Sequence, residues 1–183
     1  MTPPHWRSRP QRFWRDLLPE IADWLLDRRS LTQRLRRASA GRFRVCVLYE
    51  GWTRPDRDEA RILGLRLAAR AWTREVQLLG DEQPWVFART LIPARTLRGR
   101  GRRLTLLGTR PLGQALSADP HIRPSPVEIA RIAAGQRLHQ RALTHLAEPP
   151  AVIWGRRSVF HLEDRPLLVC EIFLPDLPVF ACH

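Results

Sequence analysis

The sequence predicts a single α+β domain with a mainly antiparallel sheet. The chain has 183 residues, of which 44% are hydrophobic, so it can bury one core and leaves no room for a second domain. Strand-like alternation recurs along most of the chain, while helical spacing appears only at intervals between these segments. No internal repeat or low-complexity tract divides residues 1–183, so we expect one domain.

The N-terminal part is expected to form a tail followed by two short helices. Residues 1–18 lack the apolar stretch of a secretory signal and contain early prolines and tryptophans, which favours a flexible or docking tail. Pro19 suits the first turn of a helix, and apolar residues follow at helical spacing up to about Asp27. Ser30 can cap a second helix over residues 31–38, so the two helices form a hairpin.

Three strands are predicted in the middle of the chain. In the first, alternation places Val45, Val47 and Tyr49 on one face, and a charged loop opens at Gly51 and Pro55. In the second, Arg74 shares a face with three apolar side chains, Trp72, Val76 and Leu78. The predicted strands are residues 42–50, 71–79 and 85–92, the last two joined by a hairpin turn at 80–84.

The second half of the chain is expected to mix short helices with three further strands. The run RGRGRR at residues 98–103 indicates a basic loop containing glycines. Short helical pieces are predicted over residues 104–116 and a longer helix over 135–150. The strands are predicted at residues 127–133, 152–162 and 167–175, the last two joined by a turn at 163–166.

The net charge of +13 comes from arginine, because the sequence contains no lysine. Two interpretations are open: a nucleic-acid surface, or a solvated arginine-rich exterior around a pocket for an acidic substrate. Nucleic-acid binders concentrate basic residues and aromatic residues on one element, whereas arginine is spread through almost every segment here. The second interpretation is favoured, with an anionic ligand and no nucleic acid as partner.

Cysteine usage and hydropathy indicate a cytoplasmic protein. Cys46, Cys170 and Cys182 form no CxxC pair, and their odd number argues against a disulfide framework. No apolar run approaches the length of a membrane span. A reducing compartment and no membrane span are therefore expected.

Several common chemistries lack their motifs. The six histidines show no HExxH or clustered ligand spacing, so we expect no metal. Gly99 and Gly101 do not follow a strand as a dinucleotide fingerprint requires, and a phosphate-binding GxxxxGK[ST] loop is impossible without lysine. No GxSxG supports a hydrolase.

Two charged residues in apolar strands are the strongest candidates for a functional site. Glu171 stands between Leu168-Val169-Cys170 and Ile172-Phe173, so an ionised carboxylate there loses water and needs a partner or a shifted pKa. The planar guanidinium of Arg74 suits bidentate capture of a ligand carboxylate. The structural alternative is a buried ion pair of Glu171 with an arginine, Arg74 included.

These residues lie in segments that resemble a known family. Seven short pieces occur in the family's order along nearly the whole chain and are similar to the chorismate lyases of bacterial ubiquinone biosynthesis. The resemblance implies a sheet of about six antiparallel strands and a closed internal pocket under helical flaps. Residues 133–150 are extra relative to the compact members. The pieces are DWLL (23–26), SLT (30–32), WTRE (72–75), PWVFART (84–90), TRPLG (109–113), WGRRS (154–158) and EIFLP (171–175).

The resemblance also implies an activity without a cofactor, the conversion of chorismate into 4-hydroxybenzoate and pyruvate. By the match of pieces, Arg74 holds the ring carboxylate with help from backbone groups of Leu31 and Leu112, and Glu171 meets the ring hydroxyl. Glu171 either orients that hydroxyl or assists proton movement. A second cation is needed to bind the enolpyruvyl carboxylate, and the candidates are Arg89, Arg156 and Arg157. A monomer is the favoured oligomeric state.

A second function remains open, a ligand sensor without catalysis. Effector-binding domains of some transcription regulators share the family's fold and could use the same pocket only to bind. Against this, the chain has no separate helix-turn-helix domain, because its N-terminal helices match the flap segment of the family. A third interpretation, nucleic-acid binding, depends on charge alone and predicts steep salt dependence.

Overall fold

The computed structural model describes residues 2–8, 19–27 and 29–180, and its centre is one antiparallel sheet. The order across the sheet is β1-β2-β3-β7-β6-β4, and β5 also pairs with β6. Every pairing is antiparallel, which confirms the predicted α+β class. The strands are β1 Phe43–Thr53, β2 Ala71–Gly80, β3 Gln83–Pro93, β4 Ile122–Pro124, β5 Glu128–Ala133, β6 Val152–Leu162 and β7 Arg165–Phe173.

Helices cover both faces of the sheet. One face, which we call the pocket face, packs against α1, α2, α4 and a 3₁₀ helix, and the opposite face packs against α3 and α5. None of the helices in the described part of the chain is long and apolar enough to cross a membrane. The helices are α1 Pro19–Leu26, α2 Leu31–Ala38, α3 Arg57–Ile62, α4 Leu112–Ser117 and α5 Arg137–Ala142, with 3₁₀ helices at Gly99–Thr105 and Pro178–Phe180.

Two tight hairpins set the register of the four central strands. Asp81 and Glu82, between β2 and β3, have φ values of 51° and 65°, and Glu163 and Asp164, between β6 and β7, have 49° and 64°. Two successive positive φ values form the turn whose twist matches that of the flanking strands. Both turns were predicted from the sequence and are confirmed.

A β-bulge in β1 corrects the predicted alternation. The register with β2 shifts between Val47, opposite Val76, and Tyr49, opposite Glu75. The extra residue moves Tyr49 to the opposite face, where it is 41% exposed, and brings Glu50 onto the pocket face. The prediction that Tyr49 shares a face with Val47 is therefore wrong, because simple alternation takes no account of a bulge.

Two other segments differ from expectation. The predicted loop from Gly51 begins later, because β1 continues to Thr53, and the charged residues that follow form α3. This helix begins with a capping box, in which Asp56 accepts from the backbone N–H of Glu59 and the Glu59 carboxylate accepts from the N–H of Asp56. The predicted basic loop over residues 98–103 lies largely in the 3₁₀ helix Gly99–Thr105.

The segments expected to be an N-terminal tail and an extra insertion both pack on the sheet in part. Within residues 2–8, Arg7 exchanges two backbone hydrogen bonds with Ile129, of 3.0 and 2.9 Å. Residues 9–18 lie outside the described residues. In the extra segment 133–150, only Arg137–Ala142 is an α-helix, so the predicted helix is shorter than expected. Its apolar side packs against the opposite face.

Candidate functional site

A cavity of about 600 Å³ lies on the pocket face, between the sheet and helices α2 and α4. Residues of β6 and β7 form its floor, and Leu31 of α2 and Leu116 of α4 lie on its other side. Because these two helices cover the cavity, we call them the flaps. The charged lining residues are Asp27, Arg29, Asp119, Arg156 and Glu171. A cavity of this size, partly apolar and with a few charges, suits a small organic anion.

Glu171 and Arg156 form an ion pair in the cavity wall. They are directly opposite each other on β7 and β6, and the Nε of Arg156 donates to Oε2 of Glu171 at 2.6 Å. The Nη1 of Arg156 donates to the carbonyl oxygens of Trp24 and Asp27 at the end of α1, at 3.1 and 2.5 Å. The last carbonyls of a helix generally lack an intrahelical donor, so Arg156 helps to satisfy the end of α1.

This ion pair leaves two groups available to a ligand. Within the described part of the chain, no residue donates a hydrogen bond to Oε1 of Glu171 and none accepts from Nη2 of Arg156. The carboxylate can therefore accept a ligand hydroxyl, and the guanidinium can hold a ligand carboxylate. The predicted alternative is correct insofar as Glu171 pairs with an arginine, but the partner is Arg156 and not Arg74.

Arg74 lies on the pocket face and is 3% exposed. Its Nε donates to Oε1 of Glu50 at 2.7 Å, and its Nη2 donates to the carbonyl oxygens of Gly108 at 2.6 Å and Arg110 at 3.4 Å. No residue that the structure describes accepts from Nη1 of Arg74. The prediction that Arg74 shares a face with Trp72 is confirmed, since β2 pairs with β3 in regular register over these residues and alternate residues lie on the same face.

Arg74 and Glu171 face the same side of the sheet without touching. Two strand spacings and two residues along the strands separate their Cα atoms, which is about 12 Å in a regular sheet. Arg74 does not line the 600 Å³ cavity, whereas Glu171 does. The indole Nε1 of Trp72, two residues before Arg74, is buried without a hydrogen-bond partner in the described part of the chain. The Arg74 end of the pocket face thus holds an unused donor.

Leu31 and Leu112 are the first residues of the two flaps. Leu31 lines the cavity, and Leu112 is buried in the apolar cluster beneath α4. The first N–H groups of a helix have no intrahelical acceptor, so both residues offer backbone donors near the pocket face. The flaps contact each other where Gly113 faces the hydroxyl of Thr32. All four predicted site residues therefore lie on, or over, the pocket face.

Arg89 and Arg157 lie on the opposite face. Arg89 donates to Glu59 at 2.7 Å and to Glu75 at 2.5 Å. Burial disfavours the charge of Arg89, but the hydrogen bonds and charges of these carboxylates outweigh it and raise its pKa above the ordinary value. Arg157 donates to Glu128 at 2.7 Å and also to Asp58. Of the three candidates for the second cation, only Arg156 lines the pocket-face cavity.

The opposite face also holds Cys170, whose thiol is buried beneath this arginine network. Burial raises the pKa of the Cys170 thiol above its ordinary value. The thiol therefore stays protonated and is a poor nucleophile. Cys170 and Cys46 are free cysteines, and Cys182 lies outside the described residues.

Two site residues were not predicted from the sequence, Glu50 and Asp27. Glu50 reaches the pocket face only through the bulge, so alternation gave no signal for it. Asp27 accepts from the backbone N–H and Nε of Arg29, both at 2.9 Å, and from Arg34 at 3.1 Å, which links α1 to α2 at the cavity edge. A lone aspartate before two arginines at a predicted helix end was the available signal.

Asp27 provides a test by acid titration. Its hydrogen bonds from Arg29, and that from Arg34, lower the pKa of this carboxyl to about 2 although burial opposes them. A pKa below that of the unfolded chain stabilises the fold above about pH 4, and the contribution is lost as pH falls through about 2. Between pH 4 and 2, the free energy of unfolding should therefore fall more in the wild type than in Asp27→Asn, by about 1 kcal/mol, because solvent screens the pairing with the exposed Arg29. Equal losses in denaturant titrations at each pH would contradict this assignment.

Comparison with known proteins identifies the relatives of this chain. A family model with the description Chorismate lyase matches residues 9–181. Two relatives carry the name "Probable chorismate pyruvate-lyase". The one from Azoarcus sp. (strain BH72) is 47% identical over 176 residues, covering 94% of this chain and 91% of the relative. The one from Thiobacillus denitrificans is 44% identical over 157 residues, covering 86% and 83%.

A solved structure with a similar fold comes from another class of protein. The ligand-binding domain of a transcriptional regulator assigned to the GntR family, from Bordetella bronchiseptica, has a TM-score of 0.53 at 22% identity. The match covers 74% of this chain and 85% of that domain. At this identity, the similarity shows a shared fold and nothing about activity.

Proposed function

Because the chain belongs to the chorismate lyase family, we propose that it converts chorismate into 4-hydroxybenzoate and pyruvate. The strongest support within the structure is the placement of Arg74 and Glu171 on one face of the sheet, Glu171 in the cavity that the flaps cover and Arg74 against the carbonyls of Gly108 and Arg110, just before α4. One cation and one carboxylate at this separation suit a ring that carries a carboxylate at one end and a hydroxyl at the other.

Chorismate is a dianion, and the pocket face offers a group for each of its polar ends. The ring carboxylate would meet Arg74 and the backbone donors of Leu31 and Leu112. The enolpyruvyl carboxylate would meet Arg156, whose Nη2 is not used by any residue of the described chain. The ring hydroxyl would then lie against Glu171, because no residue of the described chain donates a hydrogen bond to Oε1 of this carboxylate.

The reaction needs positioning more than activation. The ether C–O bond between ring and side chain breaks, and the ring carbon that carries the hydroxyl loses its hydrogen. This proton ends on the methylene carbon of the side chain, which becomes the methyl group of pyruvate, and the ring becomes an aromatic phenol. Because aromatisation makes the process strongly downhill, holding the substrate in a reactive geometry supplies much of the catalysis. Glu171 contributes by orienting the hydroxyl or by assisting the proton's movement.

The finer parts of this function are also proposals. The chain is proposed to act as a monomer in the cytoplasm. It is also proposed to supply 4-hydroxybenzoate for ubiquinone synthesis, as the family resemblance implies. We propose further that the residues named above suffice without a cofactor.

Cofactor independence can be tested directly. Protein treated with a strong chelator and then desalted should convert chorismate at an undiminished rate, because the proposed chemistry needs only arginines, a carboxylate and backbone donors. Absorbance of 4-hydroxybenzoate and enzymatic detection of pyruvate would follow both products. Loss of activity that a divalent metal restores would overturn the cofactor-free mechanism.

A second candidate function is a ligand sensor, which the shared fold with a ligand-binding domain favours. Such a protein would bind 4-hydroxybenzoate in the same cavity and leave chorismate intact. Calorimetric binding of 4-hydroxybenzoate together with unchanged chorismate after long incubation would move the assignment to this function. Conversion of chorismate rules it out as the sole role.

A further inference from the structure

The bulge in β1 places a carboxylate beside the arginine proposed to bind substrate. Glu50 is directly opposite Arg74 in the register of β1 and β2, and both side chains lie on the pocket face. The Oε1 of Glu50 accepts from Nε of Arg74 at 2.7 Å. In the part of the chain that the structure describes, no other carboxylate forms an ion pair with Arg74.

These contacts fix the orientation of the Arg74 guanidinium. The group is planar and rigid, so holding Nε through Glu50 and Nη2 through the carbonyl oxygen of Gly108 sets the direction of Nη1 as well. The contact of Nη2 with the carbonyl of Arg110 is long, at 3.4 Å, and is the easiest to exchange for a ligand oxygen. Once that contact is exchanged, Nη1 and the hydrogen of Nη2 that faced Arg110 can together bind the two oxygens of an incoming carboxylate.

We propose that Glu50 is a positioning residue for substrate recognition, one that orients Arg74 so that only its Nη1 and Nη2 end can bind the ring carboxylate. This inference rests on the proposed function, since it assigns the ring carboxylate to Arg74. Glu50 occupies the Nε side of the guanidinium, so a ligand carboxylate cannot bind there. The ring carboxylate is thereby directed to one edge, which fixes the angle of the ring toward Glu171.

The differing burial of the two residues supports this role. Arg74 is 3% exposed and cannot be solvated in place, whereas the side chain of Glu50 is 26% exposed. Without Glu50, the buried guanidinium would lose its only charged partner among the described residues and would turn toward other acceptors. A carboxylate ligand would then meet a cation in the wrong orientation.

The test compares two ligands that differ only in the group that Arg74 recognises, 4-hydroxybenzoate and 4-hydroxybenzamide. The ratio of their affinities, measured by calorimetry on the full chain, shows how strongly the protein prefers the carboxylate to the neutral amide. Glu50→Ala should reduce this preference for the acid at least about tenfold and leave the amide within about threefold. Glu50→Gln retains an acceptor at the same distance and should keep the preference within about threefold.

Glu50→Asp separates positioning from charge, and it provides the test if the alanine variant does not fold. It keeps the charge but withdraws the oxygen by one methylene, so the preference for the acid should fall at least about fivefold. An unchanged preference in the Ala and Asp variants, or an Asp variant that outperforms Gln, would overturn the proposal. Glu75→Ala is the matched control, because it removes a carboxylate from the neighbouring strand β2 on the opposite face and should not change the preference. A wild type without any preference for the acid would instead contradict the proposed function.

Discussion

Arg74→Ala is expected to weaken binding of 4-hydroxybenzoate by about 2 to 5 kcal/mol, or roughly 30- to 4000-fold. The loss is large because Arg74 is buried and the ligand carboxylate would enter the pocket without its charged partner. The partner left behind, Glu50, is partly exposed and can be solvated, so the cost to folding should be smaller than the cost to binding. Calorimetric titration and a melting curve of the same variant measure both effects.

Two further variants define what Arg74 does. Arg74→Lys should restore little affinity, because a point charge cannot contact Glu50, the Gly108 carbonyl and a ligand carboxylate in one plane. Arg61→Ala is the control, since it removes the same charge from α3 on the opposite face, where the side chain is 77% exposed. A lysine variant that binds as tightly as the wild type would show that Arg74 does not grip the carboxylate through its fork.

Glu171→Gln is expected to lower turnover by about 100-fold or more while the protein stays folded. Glutamine keeps an oxygen that can accept from Arg156, and Arg156 retains the two carbonyl acceptors at the end of α1. The free energy of unfolding should therefore fall by no more than about 2 kcal/mol. What is lost is the negative charge facing the ring hydroxyl.

A matched variant on the opposite face separates chemistry from stability. Glu128 also pairs with an arginine, Arg157, at 2.7 Å, and its side chain has a similar exposure. Glu128→Gln should change the melting temperature about as much as Glu171→Gln and leave single-turnover product formation unchanged. A folded Glu171→Gln variant with normal turnover would rule out a catalytic role. An unfolded one would indicate that Glu171 chiefly neutralises Arg156.

The local parts of this fold could be predicted from the sequence. Ser30 caps α2 through a hydrogen bond from the N–H of Gln33, and the turns at 80–84 and 163–166 form where they were expected. Alternation correctly placed Arg74 on the same face of β2 as Trp72 and Val76, because β2 is regular over these residues. In each case, residues a few positions apart determine the outcome.

The partners of the charged residues could not be predicted, because they depend on long-range register. Arg74 lies 24 residues from Glu50, and its pairing requires the bulge between Val47 and Tyr49. Arg156 meets Glu171 through the pairing of β6 with β7, and Arg157 faces the other way only because adjacent residues alternate. Sequence alone left three arginines as candidates for the second cation, and only the sheet distinguishes them.

The central claim is that this chain converts chorismate at the pocket face, and a single-turnover experiment tests it most directly. Excess protein is mixed with chorismate, the reaction is quenched at intervals, and chorismate, 4-hydroxybenzoate and pyruvate are each quantified. We expect chorismate to disappear with equal amounts of both products, and both to form far more slowly in Glu171→Gln. Chorismate that is bound but recovered intact from the wild-type protein would contradict the claim.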